Sequence, residues 1–296
     1  MTEKSKVLVS GASGLLGSHL LRLLHSTHEL HALVRTLPAV PVDGVTYHQW
    51  DMVVDPLPEA RLPAQVDAVV HLAQSSHMRE YPKMARQIRA VNQDSTATLL
   101  NYARRAGAAH FVFTSTGGLY VPTSEPVLET SPVKIEAGSL QYYFLTKMES
   151  EKMVVHSQDD FATCILRPFF IYGAGQSSSM LIPRLIYSVA NRIPILLKGT
   201  DGLRINPIHV SDAAMSVVAC LKMPGNHLFN IAGPEVLSIR EMGLLIGSTL
   251  GIEPVFAIEQ GESPWLVANN SAMCRDLHVP RIVFRDGLKL LTEAQR

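Results

Sequence analysis

The sequence predicts a doubly wound α/β fold, a parallel sheet covered on both faces, with a smaller, interwoven C-terminal lobe. Three observations predict it. Short β-branched runs alternate with stretches of helical apolar period, and the first run ends on three glycines that open a helix. Beyond about residue 167 this alternation breaks into pieces rich in Gly, Pro and polar residues.

Taken in order, "KVLVS" reads as a strand, "GASGLLG" as a tight turn and "SHLLRLLHSTH" as a helix with leucines at helical spacing. "ELHALVR", "VDAVVHLA" and "HFVFTS" read as further strands. "NQDSTATLLNYARRAG" and "VSDAAMSVVACLKM" read as helices, the first stopped at Gly107. Strands separated by helices call for a parallel sheet. The later segments "YGAGQSSSM", "NRIPILLKGTDG" and the tail from Gly251 carry only short candidates. The division expected is a cofactor-binding domain over residues 1–167 and, over 168–296, a lobe mainly for substrate with segments returning to the sheet. The crevice between them is the expected site.

Composition sets the outer limits. A chain of 296 residues that is 47% hydrophobic and 18% charged is expected to fold around a sizeable core. Its 26 basic and 26 acidic side chains cancel, so the total carries no footprint of nucleic-acid binding. The cysteines, Cys164, Cys220 and Cys274, are far apart with no CxxC pair, which argues against a zinc site or disulfide framework. No metal is expected. The start "MTEKSKVLVSGASG" reaches glycines before any long apolar core, and no apolar run is long enough to span a bilayer. The expectation is a cytoplasmic protein without a membrane partner.

Gly11, Gly14 and Gly17 follow a strand and open a helix in the spacing GxxGxxG. Gly11 supplies the sharp turn, Gly14 lets the backbone approach a pyrophosphate, and Gly17 allows close helix packing. Ser13 and Leu15 belong to the same cradle, which sets a diphosphate against the helix N-terminus. An acidic residue after the next strand would bind the ribose hydroxyls of NAD, but Arg35 stands there. A guanidinium suits a 2′-phosphate, so NADP is preferred and NAD is the alternative. Asp51, after "YHQW", is placed either to accept from the adenine amino group or as an ordinary surface aspartate.

In "SLQYYFLTK" residues three or four apart share a helix face, so Tyr143, and not Tyr142, lies over Lys147. A phenol needs its pKa lowered to move protons at neutral pH, and a nearby ammonium does this. Lys147 can also bind ribose hydroxyls. Ser115 and Thr116, at the C-terminal end of the "FVFTS" strand, supply a hydroxyl for the substrate oxygen.

Across nearly the whole chain these motifs resemble the extended short-chain dehydrogenase/reductase family. The similarity is to its epimerase/dehydratase branch of nucleotide-sugar 4-epimerases, 4,6-dehydratases and 4-ketoreductases. "GASGLLG" is similar to TGxxGxxG and "VDAVVHLAQ" to D-x-V-x-H-x-A, which implies a Rossmann-like fold with Leu72 and Ala73 beside the cofactor. "VNQDSTATLLNYARRAG" places Asn92 at the family's structural asparagine. "FVFTSTGGLYV" resembles SSxxVYG, which puts the catalytic Ser/Thr on Thr116, and "YFLTK" is the YxxxK motif of Tyr143 and Lys147. "LRPFFIYGAG" resembles RPxxxYGPG and brings Pro168 to the nicotinamide. "INPIHVSDAA" and "HLFNIAGPEVLSIREM" resemble the HVxD and N-I-G segments.

Three departures bear on substrate. Gly117 and Gly118 follow Thr116 where many 4,6-dehydratases have Asp-Glu, which disfavours dehydration. Phe170 replaces an asparagine that contacts the pyrophosphate in epimerases. Ile205 holds the diphosphate arginine's position, with Arg204 one residue earlier, a shift that reverses the face of an extended segment. Ser115, Thr116, Tyr143, Phe170 and Arg204 are the candidate substrate contacts.

The resemblance implies reversible hydride transfer between nicotinamide and a substrate carbon, with Tyr143 moving the proton. A cofactor that leaves makes a reductase, and one that stays makes an epimerase. The substrate is a small molecule, a nucleotide-linked sugar or, in a second reading, a smaller ketone reduced by NADPH. A third reading is a nonenzymatic cofactor-binding scaffold on the same fold. The resemblance also implies a homodimer through "MARQIRAVNQDSTATLLNYARR" and the Tyr143 helix. His71 reads as a structural histidine, His209 and Asp212 as a link from strand end to helix cap, Cys164 as a small buried hydrophobe and Trp265 as core.

Overall fold

The computed structural model describes residues 4–135 and 137–293. Through the first half, strands β1 (Lys6–Ser10), β2 (Glu29–Val34), β3 (Val45–Gln49), β4 (Ala68–His71) and β5 (His110–Thr114) alternate with helices. These are α1 (Leu15–Leu24), α2 (Ala85–Arg89), a π-helical turn over Ala90–Asp94, α3 (Ser95–Arg105) and α4 (Gln141–His156). Then follow β6 (Ala162–Pro168), β7 (Ile171–Tyr172), α5 (Leu181–Ala190), β8 (Ile195–Lys198), β9 (Arg204–Ile205), β10 (Ile208–His209) and α6 (Val210–Cys220). The last elements are β11 (Asn226–Ile231), β12 (Leu237–Ser238), α7 (Ile239–Leu250), β13 (Phe256–Glu259), β14 (Trp265–Leu266), α8 (Ser271–Asp276) and α9 (Phe284–Glu293).

Two compact units result. The first takes the described residues up to Leu119, then Lys134–Arg167 and Ala214–Phe229; the second takes Tyr120–Val133, Pro168–Ala213 and the described residues from Asn230. The main sheet runs β11-β6-β5-β4-β1-β2-β3, and the pairs β2/β3, β1/β2, β1/β4, β4/β5 and β5/β6 are parallel. Its central strands β1, β4 and β5 are buried almost end to end, as "VLVS", "AVVH" and "FVFT" require: an apolar run without alternation needs cover on both faces. Strand order reverses between β1 and β4, so the loops after these strands flank the switch point where such sheets bind ligands. Leu8, Leu33, Val69, Leu99, Phe111 and Ile165 belong to the core of this unit.

The second unit is built from short pairs. β7 and β10 are parallel, β9 lies between antiparallel β12 and parallel β14, and β8 pairs parallel with β13. Its core gathers Tyr172, Leu185, Leu197, Ile205, Met242 and Phe284. Helix α7 has clear ends: Ser238 and Glu241 form a capping box, and Gly251 closes the helix at φ 68°. Asp212 accepts from Arg281 N–H at 3.0 Å and Ile282 N–H at 2.9 Å and meets His278 Nε2 at 2.8 Å, so it also anchors the segment before α9. Among the described residues no helix is long and apolar enough to cross a membrane.

Candidate active site

The glycine turn is shaped by close backbone approach. At Gly11, φ is 68° and a Cβ would lie 2.6 Å from Ala73 N, so a side chain there would push β1 and β4 apart. At Gly17 a Cβ would overlap the Gly11 carbonyl and the Ala12 backbone. Helix α1 starts at Gly14 with no side-chain cap and no acidic residue in its first turn, while Ser13 and Gly14 are exposed and Leu15 is its first residue. Its first amides are therefore open to an anion, which fits the diphosphate of a dinucleotide. Arg35 is exposed just beyond β2, and its guanidinium makes no ion pair with the described residues. Asp51 lies past the end of the neighbouring β3, but one carboxylate oxygen is engaged locally, accepting from Val53 N–H at 2.9 Å.

Helix α4 sets the chemistry. Tyr143, Thr146, Lys147, Ser150, Glu151 and Val154 are its buried residues, a stripe at helical spacing that is mostly polar. Tyr143 is 4% exposed and Lys147 fully buried. Lys147 Nζ donates to Thr114 O at 2.9 Å and Ala73 O at 3.4 Å and lies 4.9 Å from the centre of the Phe113 ring. Tyr143 Oη donates to Gln74 Oε1 at 3.0 Å, and the Thr116 hydroxyl lies near enough to bear on its proton. Thr116 is partly exposed and accepts from Gly118 N–H at 3.1 Å, whereas Ser115 is buried with its Oγ unpartnered. Of the two predicted hydroxyls, Thr116 is the one at the phenol. A side chain at Gly118 would overlap the Phe144 ring, so the Asp-Glu expected of a dehydratase has no room without moving that ring.

Electrostatics differ from the expectation in one respect. Burial raises the Tyr143 pKa well above the ordinary phenol value, and the Thr116 hydroxyl is the influence that lowers it; Lys147 is turned to the carbonyl oxygens instead. Burial lowers the Lys147 pKa from 10.5 to about 7, with Glu151 working in the opposite direction. The unfolded chain keeps this proton up to its normal pKa and the folded chain releases it near neutrality. The unfolded state thus binds more protons in that window, and stability rises with pH from about 7 to 10.5. Lys147→Met should flatten this rise in denaturation series between these limits; an unchanged slope would assign it to another group.

Several supporting residues were not singled out by spacing. Glu151 accepts from Arg167 Nε at 2.9 Å and Nη2 at 2.6 Å in a buried, two-point ion pair. Glu151 is four residues after Lys147 on the same face, the one sequence signal that could have found it. Gln74 directly follows the predicted Leu72 and Ala73, both buried, but nothing local marks it as Tyr143's partner. Asn92 sits in the π-helical turn, fully buried; its Oδ1 accepts from Ser75 N–H at 2.8 Å and its Nδ2 donates to Thr146 Oγ1 at 2.9 Å. With both ends of its carboxamide engaged, Asn92 braces α4 against the loop after β4. His71 is likewise internal, between Ser10 Oγ at 2.6 Å and Thr96 Oγ1 at 3.0 Å, and burial lowers its pKa to about 3.

The remaining candidates lie in the second unit. Pro168 ends β6. Phe170 holds φ 49°, a conformation that costs a residue other than Gly or Asn about 1–2 kcal/mol, and its ring packs against the unit's hydrophobic clusters. Ile205 is fully buried, while Arg204 is 26% exposed and held by Asp201 at 3.1 Å and Glu241 at 3.6 Å. Its guanidinium also lies 5.6 Å from the ring centre of Trp265, so Trp265 is a partly exposed platform for a cation rather than core. Arg281 is exposed. Among the described residues no group of three His, Cys, Asp or Glu side chains could hold a metal ion.

Known proteins resemble this chain over most of its length. A UDP-glucose epimerase of Bacillus subtilis (strain 168), itself uncharacterised, is 27% identical over 96% of this chain and 95% of its own length. A dTDP-4-dehydro-6-deoxy-D-allose reductase of a Streptomyces species is 26% identical over 83% of this chain and 81% of its own. Among solved structures, the UDP-glucuronic acid 4-epimerase of Bacillus cereus in complex with UDP-glucuronic acid and NAD superposes with a TM-score of 0.83 at 22% identity, covering 98% of each chain. The sequence model of the NAD dependent epimerase/dehydratase family matches residues 7–232, which include the glycine turn, Thr116, Tyr143 and Lys147. The chain belongs to the NAD dependent epimerase/dehydratase family.

Proposed function

We propose that the protein interconverts a hydroxyl and a ketone on a nucleotide-linked sugar, as a 4-epimerase or 4-ketoreductase with a nicotinamide cofactor. The observation that carries this reading is the meeting of the Thr116 hydroxyl with the Tyr143 phenol, with Lys147 one turn on and tied to the loop that closes on Gly11. The relatives named as a UDP-glucose epimerase and a dTDP-hexose reductase support the substrate class. The cofactor supplies the hydride chemistry when bound. Gly11, Ser13, Gly14, Leu15 and Gly17 would hold its diphosphate, with Leu72 and Ala73 alongside and Lys147 on its ribose. Tyr143 Oη gives its proton to the substrate's carbonyl oxygen or takes one from its hydroxyl, and Thr116 Oγ1 donates to that same oxygen. Ser115, Phe170 and Arg204 are the further substrate contacts in this reading, and Pro168 a further cofactor contact.

The reading includes a preference for NADP, carried by Arg35, exposed just beyond β2, a cytoplasmic location, and a homodimer formed through α2, α3 and α4. Exposed Leu145 and Val155 on α4 are compatible with that dimer. A specific observation favours the second substrate class, a smaller ketone. Arg204 is already held by two carboxylates, and the neighbouring position, Ile205, is buried in the core.

Protein purified without added cofactor, then denatured, should release a nicotinamide dinucleotide or a sugar nucleotide identifiable by mass spectrometry, or else bind them when supplied. Co-released sugar nucleotide supports the first class. Failure to bind or turn over any sugar nucleotide, with reduction of simple ketones, would replace it by the second. Arg35→Ala should weaken NADP binding by about tenfold or more and NAD binding much less, since it removes a charge-assisted contact to the 2′-phosphate. Equal losses would remove the NADP preference.

A further inference from the structure

Gln74 lies in the loop just past β4, and its backbone neighbours are both anchored. The Ala73 carbonyl receives Lys147 Nζ, and Ser75 N–H donates to Asn92 Oδ1 at 2.8 Å while Ser75 Oγ donates to Gln87. From this fixed backbone the Gln74 side chain, itself exposed, reaches the buried phenol and accepts from Tyr143 Oη at 3.0 Å. The two N–H donors of its carboxamide make no hydrogen bond within the described chain.

We propose that Gln74 is a positioning residue for Tyr143, aiming the phenol and keeping it protonated until the oxygen of the substrate takes its place. The proposal rests on the reading of Tyr143 as proton donor and acceptor. A carboxamide oxygen accepts a hydrogen bond from a phenol and offers nothing to a phenolate, so it favours the neutral form. The nearby Thr116 hydroxyl acts in the opposite sense, favouring the phenolate. The proton of Tyr143 is thus set between a group that holds it and a group that releases it. With the phenol protonated and buried, the resting site is prepared to donate a proton, as reduction of a ketone requires. The titratable groups around it are Lys147 and Glu151 on α4, Arg167 on β6 paired with Glu151, and His71 on β4, which burial keeps neutral. Lys147 is present in wild type and variants alike, so a shift caused at Gln74 is separable from it.

The test uses the full chain with Gln74→Met, which keeps the length and removes the acceptor, and Gln74→Glu, which adds a negative charge. With whichever substrate the enzyme turns over, the pH midpoint for alcohol oxidation, which needs phenolate, should fall by about one unit in Gln74→Met and rise by about one in Gln74→Glu. Both variants slowing the enzyme with an unmoved profile would overturn the proposal. Activity retained by Tyr143→Phe would instead overturn the reading of the site. A second measurement needs no substrate: tyrosine labelled with 13C at Cζ gives signals for the eight tyrosines, of which Tyr143→Phe deletes and so assigns one. Gln74→Met should displace that signal and leave the rest in place; a Tyr143 signal that stays put would show that the hydrogen bond does not exist in solution.

Discussion

Tyr143→Phe is expected to lower turnover by about 10²–10⁴-fold while leaving cofactor affinity within a few-fold. The substitution removes one oxygen from a ring that is otherwise packed, so the fold and the face of α4 are kept. What is lost is the hydroxyl that donates to Gln74, lies by Thr116 and is assigned the transferable proton. Lys147 keeps its hydrogen bonds to Thr114 O and Ala73 O, because neither depends on the phenol. The glycine turn is likewise untouched. Steady-state rates together with cofactor titration separate the two effects. Retained turnover would sink the assignment of Tyr143, and a parallel loss of cofactor binding would show that the hydroxyl serves binding instead.

Arg167→Met is expected to cost about 3–5 kcal/mol of stability, seen as a fall in Tm on the order of 10 °C. The reason is the charge left behind. Glu151 is 10% exposed and Arg167 7%, and their two-point contact is what makes either charge tolerable in that place. Removing one partner strands the other, whereas replacing both with apolar residues, Glu151→Leu with Arg167→Met, should recover most of the loss. Glu151 also supports the proton on Lys147, so the double replacement should lower the Lys147 pKa further below its folded value of about 7. Recovery of stability without recovery of cofactor binding at neutral pH would separate packing from charge. A double variant as unstable as the single one would show that the pair does more than cancel its own burial.

Much of this site is legible along the chain, and the limits of that legibility are physical. The match of Tyr143 to Lys147 follows from helical period alone, and the turn at Gly11 and Gly17 follows from backbone approach that no other residue permits. The choice between Ser115 and Thr116 does not follow from spacing, because both end the same strand. It is made by α4, which meets Thr116 and leaves Ser115 Oγ buried without a partner. The expectation that Lys147 lowers the phenol pKa assumed that a shared face means contact. In the fold the ammonium donates instead to two backbone carbonyl oxygens at and just past strand ends, those of Thr114 and Ala73. Arg204 shows the same limit: the resemblance leaves it one residue from the diphosphate arginine's position as a candidate substrate contact, while Asp201 and Glu241 engage it within its own unit.

By itself the sequence determined the alternation of strands and helices through the first half, the glycine cradle and the face shared by Tyr143 and Lys147. These are set by periodicity and turn chemistry within a few residues of one another. Tertiary structure alone decided that Gln74, 69 residues away, accepts a hydrogen bond from Tyr143 and that Arg167 neutralises Glu151. It also decided that Asn92 braces α4 by linking Ser75 to Thr146. Partners of this kind depend on which loops and strand ends the packed sheet brings together, and a polar side chain carries no local mark of the group that will meet it.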